Sequence, residues 1–167
     1  ATFSTHKNHA NLLFSLKYLK DEFGLKIPVI FTGAEQYNSG YINQLINDLD
    51  LQCQVYILGF IPLEDLASFY RYAFALTFVS LHGPDNLPPL EAFALGCPVI
   101  ASNVPGSEEQ LGEAALLIDS KDPKQIALAI KSLIDTPDLR KSLVQRGFLR
   151  ASQWTGQDYI KGVCSIL

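Results

Sequence analysis

The segment GPDNLPPLEAFALGCPVIAS, residues 83–102, carries the strongest pattern in the chain. It opens with turn-forming residues, and two prolines then lead into a short apolar segment, LEAFAL, that stops at Gly96. Proline is tolerated in the first turn of a helix, because its missing N–H would be unpaired there anyway. An apolar, β-branched pair follows at Val99 and Ile100. The order predicts a loop, a helix N-terminus, a short helix, a tight turn and a buried strand.

The start of this predicted helix is suited to an anion. Unpaired N–H groups and the positive end of the helix dipole favour phosphate there. Glu91 is expected in the first turn, and its carboxylate can accept hydrogen bonds from two neighbouring hydroxyls, as on a ribose. The alternative, from residue type alone, is a carboxylate that only favours the dipole of its own helix. The two features together describe a site for a nucleoside diphosphate.

The bulk composition predicts one soluble α/β domain. The chain has 167 residues, of which 48% are hydrophobic and 18% charged, enough for a proper core. A net charge of −4 argues against binding a nucleic-acid backbone. No apolar run is as long as a membrane span. Three cysteines, widely spaced in apolar surroundings, are interpreted as reduced core thiols, which predicts a cytoplasmic location: Cys53, Cys97 and Cys164.

Strand-like and helix-like segments alternate along the whole chain. After a short strand-like start, the predicted strands cover residues 26–33, 54–58, 74–80, 99–100 and 114–118. The predicted helices begin near His9 and cover residues 41–49, 63–72, 90–95, 107–111 and 122–134, with further helices from Pro137 and over 158–167. This alternation predicts an α/β fold with a Rossmann-like, doubly wound parallel sheet flanked by helices. We treat residues 1–167 as a single domain.

Several side chains at predicted strand or helix ends are site candidates. Thr32 and Gly33 end a strand, and ligands bind at the carboxyl ends of parallel strands; a simple turn glycine is the alternative. Lys7 lies just before a helix that Asn8 is expected to cap, where its ammonium group can reach a phosphate; a solvated surface lysine is the alternative. His6 and His9, without a third ligand nearby, are interpreted as polar loop and cap residues and not as a metal site.

The motif L-P-P-L-E-A-x-A-x-G-x-P-V-I-A-S, residues 87–102, resembles the C-terminal, donor-binding domain of a GT-B retaining glycosyltransferase. The likeness is to the large group 1, or family 4, type, which includes sucrose synthase-like, glycogen synthase-like and bacterial mannosyltransferase enzymes. It implies a UDP- or GDP-linked sugar as donor, no metal or other cofactor, and an acceptor held by an N-terminal domain that is absent from this chain. Any membrane association, at the inner face, is expected only through that domain.

The resemblance also implies roles for individual residues. Lys7 matches the lysine that holds the donor diphosphate, and with Glu91 it is assigned to catalysis. The segment after the second strand is expected to lie beside the base. The nucleotide-binding set is therefore Thr32, Gly33, Phe60, Ile61, Asn86, Leu87, Pro88 and Glu91.

Two departures from the family pattern leave alternatives open. The family has E-x7-E, but its first glutamate, which stands beside the donor sugar, is Gly83 here. The family arginine falls on Thr2 or Ala1. Asp85 or Asn86 can replace the sugar contact, or the backbone alone makes it. The alternative function is a catalytically inactive nucleotide-sugar-binding or scaffolding domain.

Overall fold

The computed structural model describes residues 3–34, 38–82 and 87–153. Its helices are α1 (His9–Phe23), α2 (Ser39–Asp48), α3 (Leu63–Tyr72), α4 (Leu87–Ala94), α5 (Ser107–Leu111), α6 (Pro123–Asp135) and α7 (Pro137–Ser152). Its strands are β1 (Val29–Thr32), β2 (Val55–Gly59), β3 (Leu76–Phe78), β4 (Val99–Ser102) and β5 (Ala115–Ile118). The last predicted helix, residues 158–167, lies outside the described residues.

All the strand pairs are parallel, which confirms the predicted α/β class. In the described part of the chain the strands hydrogen-bond in two groups, β1 with β2 and β3-β4-β5 with β4 in the centre. β4 is buried at all four positions, as its apolar sequence predicts. Because all strands within a group run the same way, their carboxyl ends meet at one edge, where the site candidates lie.

Two apolar cores stabilise the fold. The first contains the leucines of α1 at helical spacing, Leu12, Leu13, Leu16 and Leu19, which pack with residues of α6. The second lies under α4 and is centred on Phe93. Gly147 of α7 allows the close approach of that ring, since a Cβ at this position would lie 2.9 Å from Phe93 Cδ1. None of the described helices is both long and apolar enough to cross a bilayer.

The first strand differs from its prediction. β1 covers only Val29–Thr32, and its sides alternate: Phe31 is buried, whereas Ile30 is 44% exposed. Ile30 pairs with Tyr56 of β2, which is also half exposed. The apolar run within residues 26–33 is typical of a strand buried on both sides, and this expectation is wrong, because one side of the β1–β2 pair is exposed at Ile30 and Tyr56. β3 is also shorter than the segment 74–80 predicted for it.

The described chain enters α1 through a short turn, and the first two residues of the predicted strand-like start lie outside the described residues. Thr5–Lys7 form one turn of 3₁₀-helix, and Asn8 then adopts a left-handed conformation with φ of 60°. The prediction that the Asn8 side chain caps α1 is wrong. The amide of Asn8 donates instead to the carbonyl of Ser120, at 2.7 Å. A long-range hydrogen bond thus replaces the local cap.

Two further local predictions are wrong. Ser107, followed by two glutamates, is typical of an N-cap, but Gly106, with φ of 85°, caps α5, and the Ser107 hydroxyl instead accepts from the backbone N–H of Val104. Cys53 is exposed, because it lies in the turn that precedes β2, whereas Cys97 is a buried free thiol as predicted. Cys164 lies outside the described residues. The expected start of α6 is confirmed, with the Asp122 carboxylate accepting from the Lys124 N–H.

Candidate functional site

The ends of β1 and β2 bring four of the predicted nucleotide-binding residues side by side. The N–H of Gly33 donates to the carbonyl of Gly59 at 2.8 Å, so the Thr32–Gly33 corner lies against the segment that continues into Phe60 and Ile61. Phe60 is 86% exposed, which is unusual for so large an apolar ring. An exposed aromatic ring beside a strand end is available to a planar ligand.

The turn that carries Lys7 is fixed to the end of β3. The carbonyl of His6 accepts from the N–H of Leu81 at 2.8 Å and from the hydroxyl of Ser80 at 3.2 Å. The ammonium group of Lys7 lies 5.4 Å from the centre of the Phe78 ring, the last residue of β3. Lys7 is therefore a partly buried cation at the carboxyl edge of the strands, and not a lysine extended into solvent.

The other side of the same turn is fixed to β5. The amides of Asn8 and Asn11 both donate to the carbonyl of Ser120, at 2.7 and 3.0 Å. Ser120 follows β5 by two residues and is buried. The turn that carries Lys7 is thus tied to the ends of two strands of the three-stranded group, β3 and β5.

Glu91 lies one turn deeper in α4 than predicted. The helix begins at Leu87, with Pro88 and Pro89 in its first turn as expected, so Glu91 falls in the second turn. Since the favourable effect of a helix dipole fades beyond the first turn, the alternative of a purely dipole-stabilising carboxylate is weakened. The Glu91 side chain is exposed, and its Oε2 accepts a hydrogen bond of 3.1 Å from the hydroxyl of Tyr70 in α3.

Two histidine rings, those of His6 and His82, lie beside the turn that carries Lys7. The rings of His6 and His82 stack with centres 4.9 Å apart. Partial burial, and then Lys7 and His82, lower the pKa of His6 below its ordinary value. His9 is buried against Phe3, which corrects the prediction of a polar cap. Across the described ranges, no three histidine, cysteine or acidic side chains are grouped closely enough to hold a metal ion.

An open cleft of about 550 Å³ lies beside the Lys7 turn. It is bounded by Leu81 and by the segments that follow β4 and β5, with the polar residues Asn103, Asp119, Ser120, Lys121 and Gln125. The turn that contains Asn103 faces the donor site in the family that the sequence resembles, whereas no residue after β5 was assigned to a site from the sequence. The position of these residues directly after a parallel strand was the available signal.

The structure places the predicted residues in three groups: Lys7 at the end of β3, Thr32 and Gly33 with Phe60 and Ile61 at the ends of β1 and β2, and Glu91 with Tyr70 between α3 and α4. Within the described residues, no hydrogen bond joins Lys7 directly to Glu91. The residues predicted beside the donor sugar, Gly83, Asp85 and Asn86, lie outside the described residues.

Comparison with known proteins identifies the family. The model of the family described as "Glycosyl transferases group 1" matches residues 1–150. The chain belongs to the group 1 glycosyltransferases. Because this match spans most of the chain, it applies to the domain that carries the Lys7 turn, the two strand groups and α4.

Two curated relatives of this glycosyltransferase chain are O-antigen mannosyltransferases. O-antigen chain mannosyltransferase B of Escherichia coli is 31% identical over 159 residues, covering 94% of this chain and 41% of the relative. O-antigen chain mannosyltransferase RfbU of Salmonella typhimurium is 32% identical, covering 80% of this chain and 36% of the relative. The chain therefore spans less than half the length of these relatives.

Solved structures confirm the GT-B fold. Sucrose-phosphate synthase from Thermosynechococcus elongatus superimposes with a TM-score of 0.78 at 26% identity, covering 90% of this chain and 38% of that one. HepE of Anabaena, solved in complex with UDP, gives 0.86 at 20% identity over 99% and 47% of the two chains. The C-terminal domain of LpcC from Francisella tularensis gives 0.79 at 22% identity over 90% and 80%.

Proposed function

We propose that this chain is the donor domain of a retaining glycosyltransferase. It binds a nucleoside-diphospho-sugar, and the sugar is transferred to an acceptor held by an N-terminal domain of the full-length protein. We place that protein in the cytoplasm, at a membrane surface only where its N-terminal domain binds one. The observation that carries the proposal is the fixed position of Lys7 at the carboxyl end of β3, in a member of the group 1 glycosyltransferases.

Transfer of a sugar from a nucleoside diphosphate leaves negative charge on the departing diphosphate. A preorganised cation and oriented N–H dipoles stabilise such charge without rearrangement during the reaction. Lys7 supplies the cation. The N-terminus of α4 supplies the dipole of the helix and the free N–H of Leu87, since Pro88 and Pro89 donate none.

The rest of the nucleotide is assigned to the other two groups of predicted residues. Glu91 accepts hydrogen bonds from the ribose hydroxyls, because a carboxylate offers about four lone-pair sites and Tyr70 uses one of them. The backbone of Phe60 and Ile61 binds the base, and Thr32 and Gly33 close the site beside it. No metal ion has a role in this proposal.

A second candidate function is a nucleotide-sugar-binding or scaffolding domain without catalytic activity. It is favoured by Gly83, which stands where the family has its first glutamate, and by the absence of the family arginine at Thr2 or Ala1. The retained Lys7 and Glu91 favour a donor site over a pure scaffold, since a scaffold needs neither residue.

Release of nucleoside diphosphate from the donor separates the two candidates. The full-length protein, with its N-terminal domain, is incubated with acceptor extracts and with UDP-glucose or GDP-mannose, and free nucleoside diphosphate is measured. The proposal predicts release from one donor, and a large loss of release in Glu91→Ala but not in the control Glu22→Gln, an exposed glutamate near the end of α1. Donor binding without any release, in the presence of acceptor extracts, would favour the scaffold. The isolated chain is expected to bind donor without transferring sugar.

A further inference from the structure

A hydrogen bond between two helices supports the carboxylate that we assign to the ribose. Tyr70, in the last turn of α3, donates to Oε2 of Glu91, in the second turn of α4, at 3.1 Å. Helix α3 begins directly after the segment Phe60–Pro62, which is assigned to the base. One helix thus carries the base segment at its beginning and a partner of Glu91 near its end.

The Tyr70 ring is held in place by the second core. It is 9% exposed and packs in a cluster with Ala92, Phe93 and Cys97. Two residues further along the same helix, Tyr72 is 87% exposed. A tyrosine whose ring is buried in this way is a rigid donor with few rotamers to lose.

The hydroxyl of Tyr70 stays protonated over the whole working range of pH. Burial, followed by the negative charge of Glu91, raises the pKa of the phenol above its ordinary value. It is therefore always a donor to the carboxylate and never a competing negative charge.

A fixed hydrogen-bond donor reduces the conformational freedom that Glu91 would otherwise lose when a ligand binds. The Glu91 side chain is exposed, and a free glutamate in solvent loses rotamer freedom when a ligand binds it. With Oε2 held by Tyr70, Oε1 and the remaining lone pair of Oε2 are available to hydroxyl donors in a fixed orientation.

We infer that Tyr70 is a positioning residue that holds Glu91 ready for the ribose hydroxyls of the donor. The inference rests on the proposed function, since it gives Glu91 the ribose as its ligand. If the hydrogen bond only joins α3 to α4, removal of the hydroxyl changes stability and lowers the affinity for every nucleotide alike. If it positions Glu91, removal acts on the part of the affinity that depends on the ribose hydroxyls.

The test compares ribonucleotides with 2′-deoxyribonucleotides. Calorimetry measures the affinity of UDP, GDP and ADP, and of the three 2′-deoxy counterparts, for the wild type and for Tyr70→Phe, Glu91→Gln and the double variant. Tyr72→Phe, in the same helix but exposed, is the matched control. Thermal unfolding of each variant measures any effect on the fold.

The wild type should prefer the ribonucleotide, and Glu91→Gln should strongly reduce that preference, because an amide offers one acceptor oxygen without the negative charge. Tyr70→Phe should reduce the preference by about threefold to tenfold, the cost of ordering one free side chain, and should lower the affinity for the 2′-deoxynucleotide by less, because that ligand keeps only the 3′-hydroxyl. Because the two residues act on one interaction, the double variant should equal Glu91→Gln. Tyr72→Phe should match the wild type.

The possible failures are distinguishable. An unchanged ribose preference in Tyr70→Phe, or an equal loss of affinity for both sugars, would overturn the inference and leave the proposed function standing. A preference that is insensitive to Glu91→Gln, or the absence of nucleotide binding by the wild type, would overturn the proposed function together with the inference.

Discussion

The ammonium group of Lys7 lies 5.4 Å from the centre of the Phe78 ring, at the point where β3 ends. Two hydrogen bonds to the carbonyl of His6 keep the turn there, one from Leu81 and one from Ser80. A cation held this way has lost part of its conformational freedom before any ligand arrives. Its position, and not its charge alone, is what suits it to a diphosphate.

Replacement of Lys7 by alanine is expected to weaken the binding of nucleoside diphosphates but not of nucleosides. A hydrogen bond to a charged group contributes about 1.5–3 kcal/mol, so the affinity for the diphosphate should fall about tenfold to a hundredfold. Calorimetry with UDP and uridine measures both. Lys26→Ala, an exposed lysine ahead of β1, serves as the control. Equal affinities of wild type and Lys7→Ala for UDP would exclude Lys7 from the site.

His9 is expected to make the fold sensitive to acid. Burial, with a smaller effect from nearby positive charges, lowers the pKa of His9 to about 4, whereas an unfolded histidine titrates near pH 6.5. Between these values the unfolded chain binds more protons, so the contribution is complete above about pH 6.5 and is lost as the pH falls towards 4. The loss amounts to about 3 kcal/mol at most.

Urea unfolding at pH 7, 5.5 and 4.5 measures this effect. In His9→Phe, which keeps an aromatic ring between Phe3 and Phe31, the free energy of unfolding should depend less on pH over this interval. The substitution also removes a buried Nδ1 that has no hydrogen-bond partner among the described residues. Parallel pH curves for the two proteins would show that His9 is not the titrating group.

Two glycine-to-alanine changes should have opposite effects. At Gly147 a Cβ would lie 2.9 Å from the buried Phe93 ring, so Gly147→Ala should destabilise the fold by about 1–2 kcal/mol despite the better helix propensity of alanine. At Gly40, in α2, an added Cβ would meet no described atom within 4 Å beyond its chain neighbours and the backbone of its own helix. Gly40→Ala should therefore increase the free energy of unfolding by up to about 1 kcal/mol. Chemical denaturation measures both. A stable Gly147→Ala protein would contradict the close packing of α7 on α4.

The thiol of Cys97 is expected to be unreactive in the folded protein. Burial raises its pKa to about 11, and its side chain is enclosed by the second core. In the variant Cys53→Ser/Cys164→Ser, labelling by a disulfide reagent at pH 8 should be slow in buffer and rapid in urea. Restoring the exposed Cys53 should restore rapid labelling in buffer. Fast labelling of Cys97 in buffer would mean that this core opens readily.

Much of the fold was predictable from local pattern. Helix α3 runs from Leu63 to Tyr72 as expected, because Pro62 precedes it and acidic residues occupy its first turn. The apolar run at Val99 becomes a strand buried throughout. What a pattern within one segment could not show were contacts between segments: the amide of Asn8 bonds to Ser120 and leaves α1 without the predicted cap.

The residue types of the candidate site were predictable from the sequence, but the contacts that hold these residues in place were not. The sequence indicated Lys7 and Glu91, yet Glu91 lies in the second turn because α4 begins as early as Leu87. Tyr70 carried no local signal, since its hydroxyl meets Glu91 only through the packing of α3 on α4. The polar residues after β5 were missed because only the folded sheet brings them beside the turn that follows β4.

The central claim is that this edge of the molecule binds a nucleoside diphosphate through Lys7 and Glu91. The most direct test is calorimetric titration of the protein with UDP, GDP and ADP, beside Glu91→Ala. The account predicts that one of the three binds in preference to the others, and that Glu91→Ala weakens its binding about tenfold or more. Equal binding by wild type and Glu91→Ala, or no binding by this chain and by the full-length protein, would contradict it.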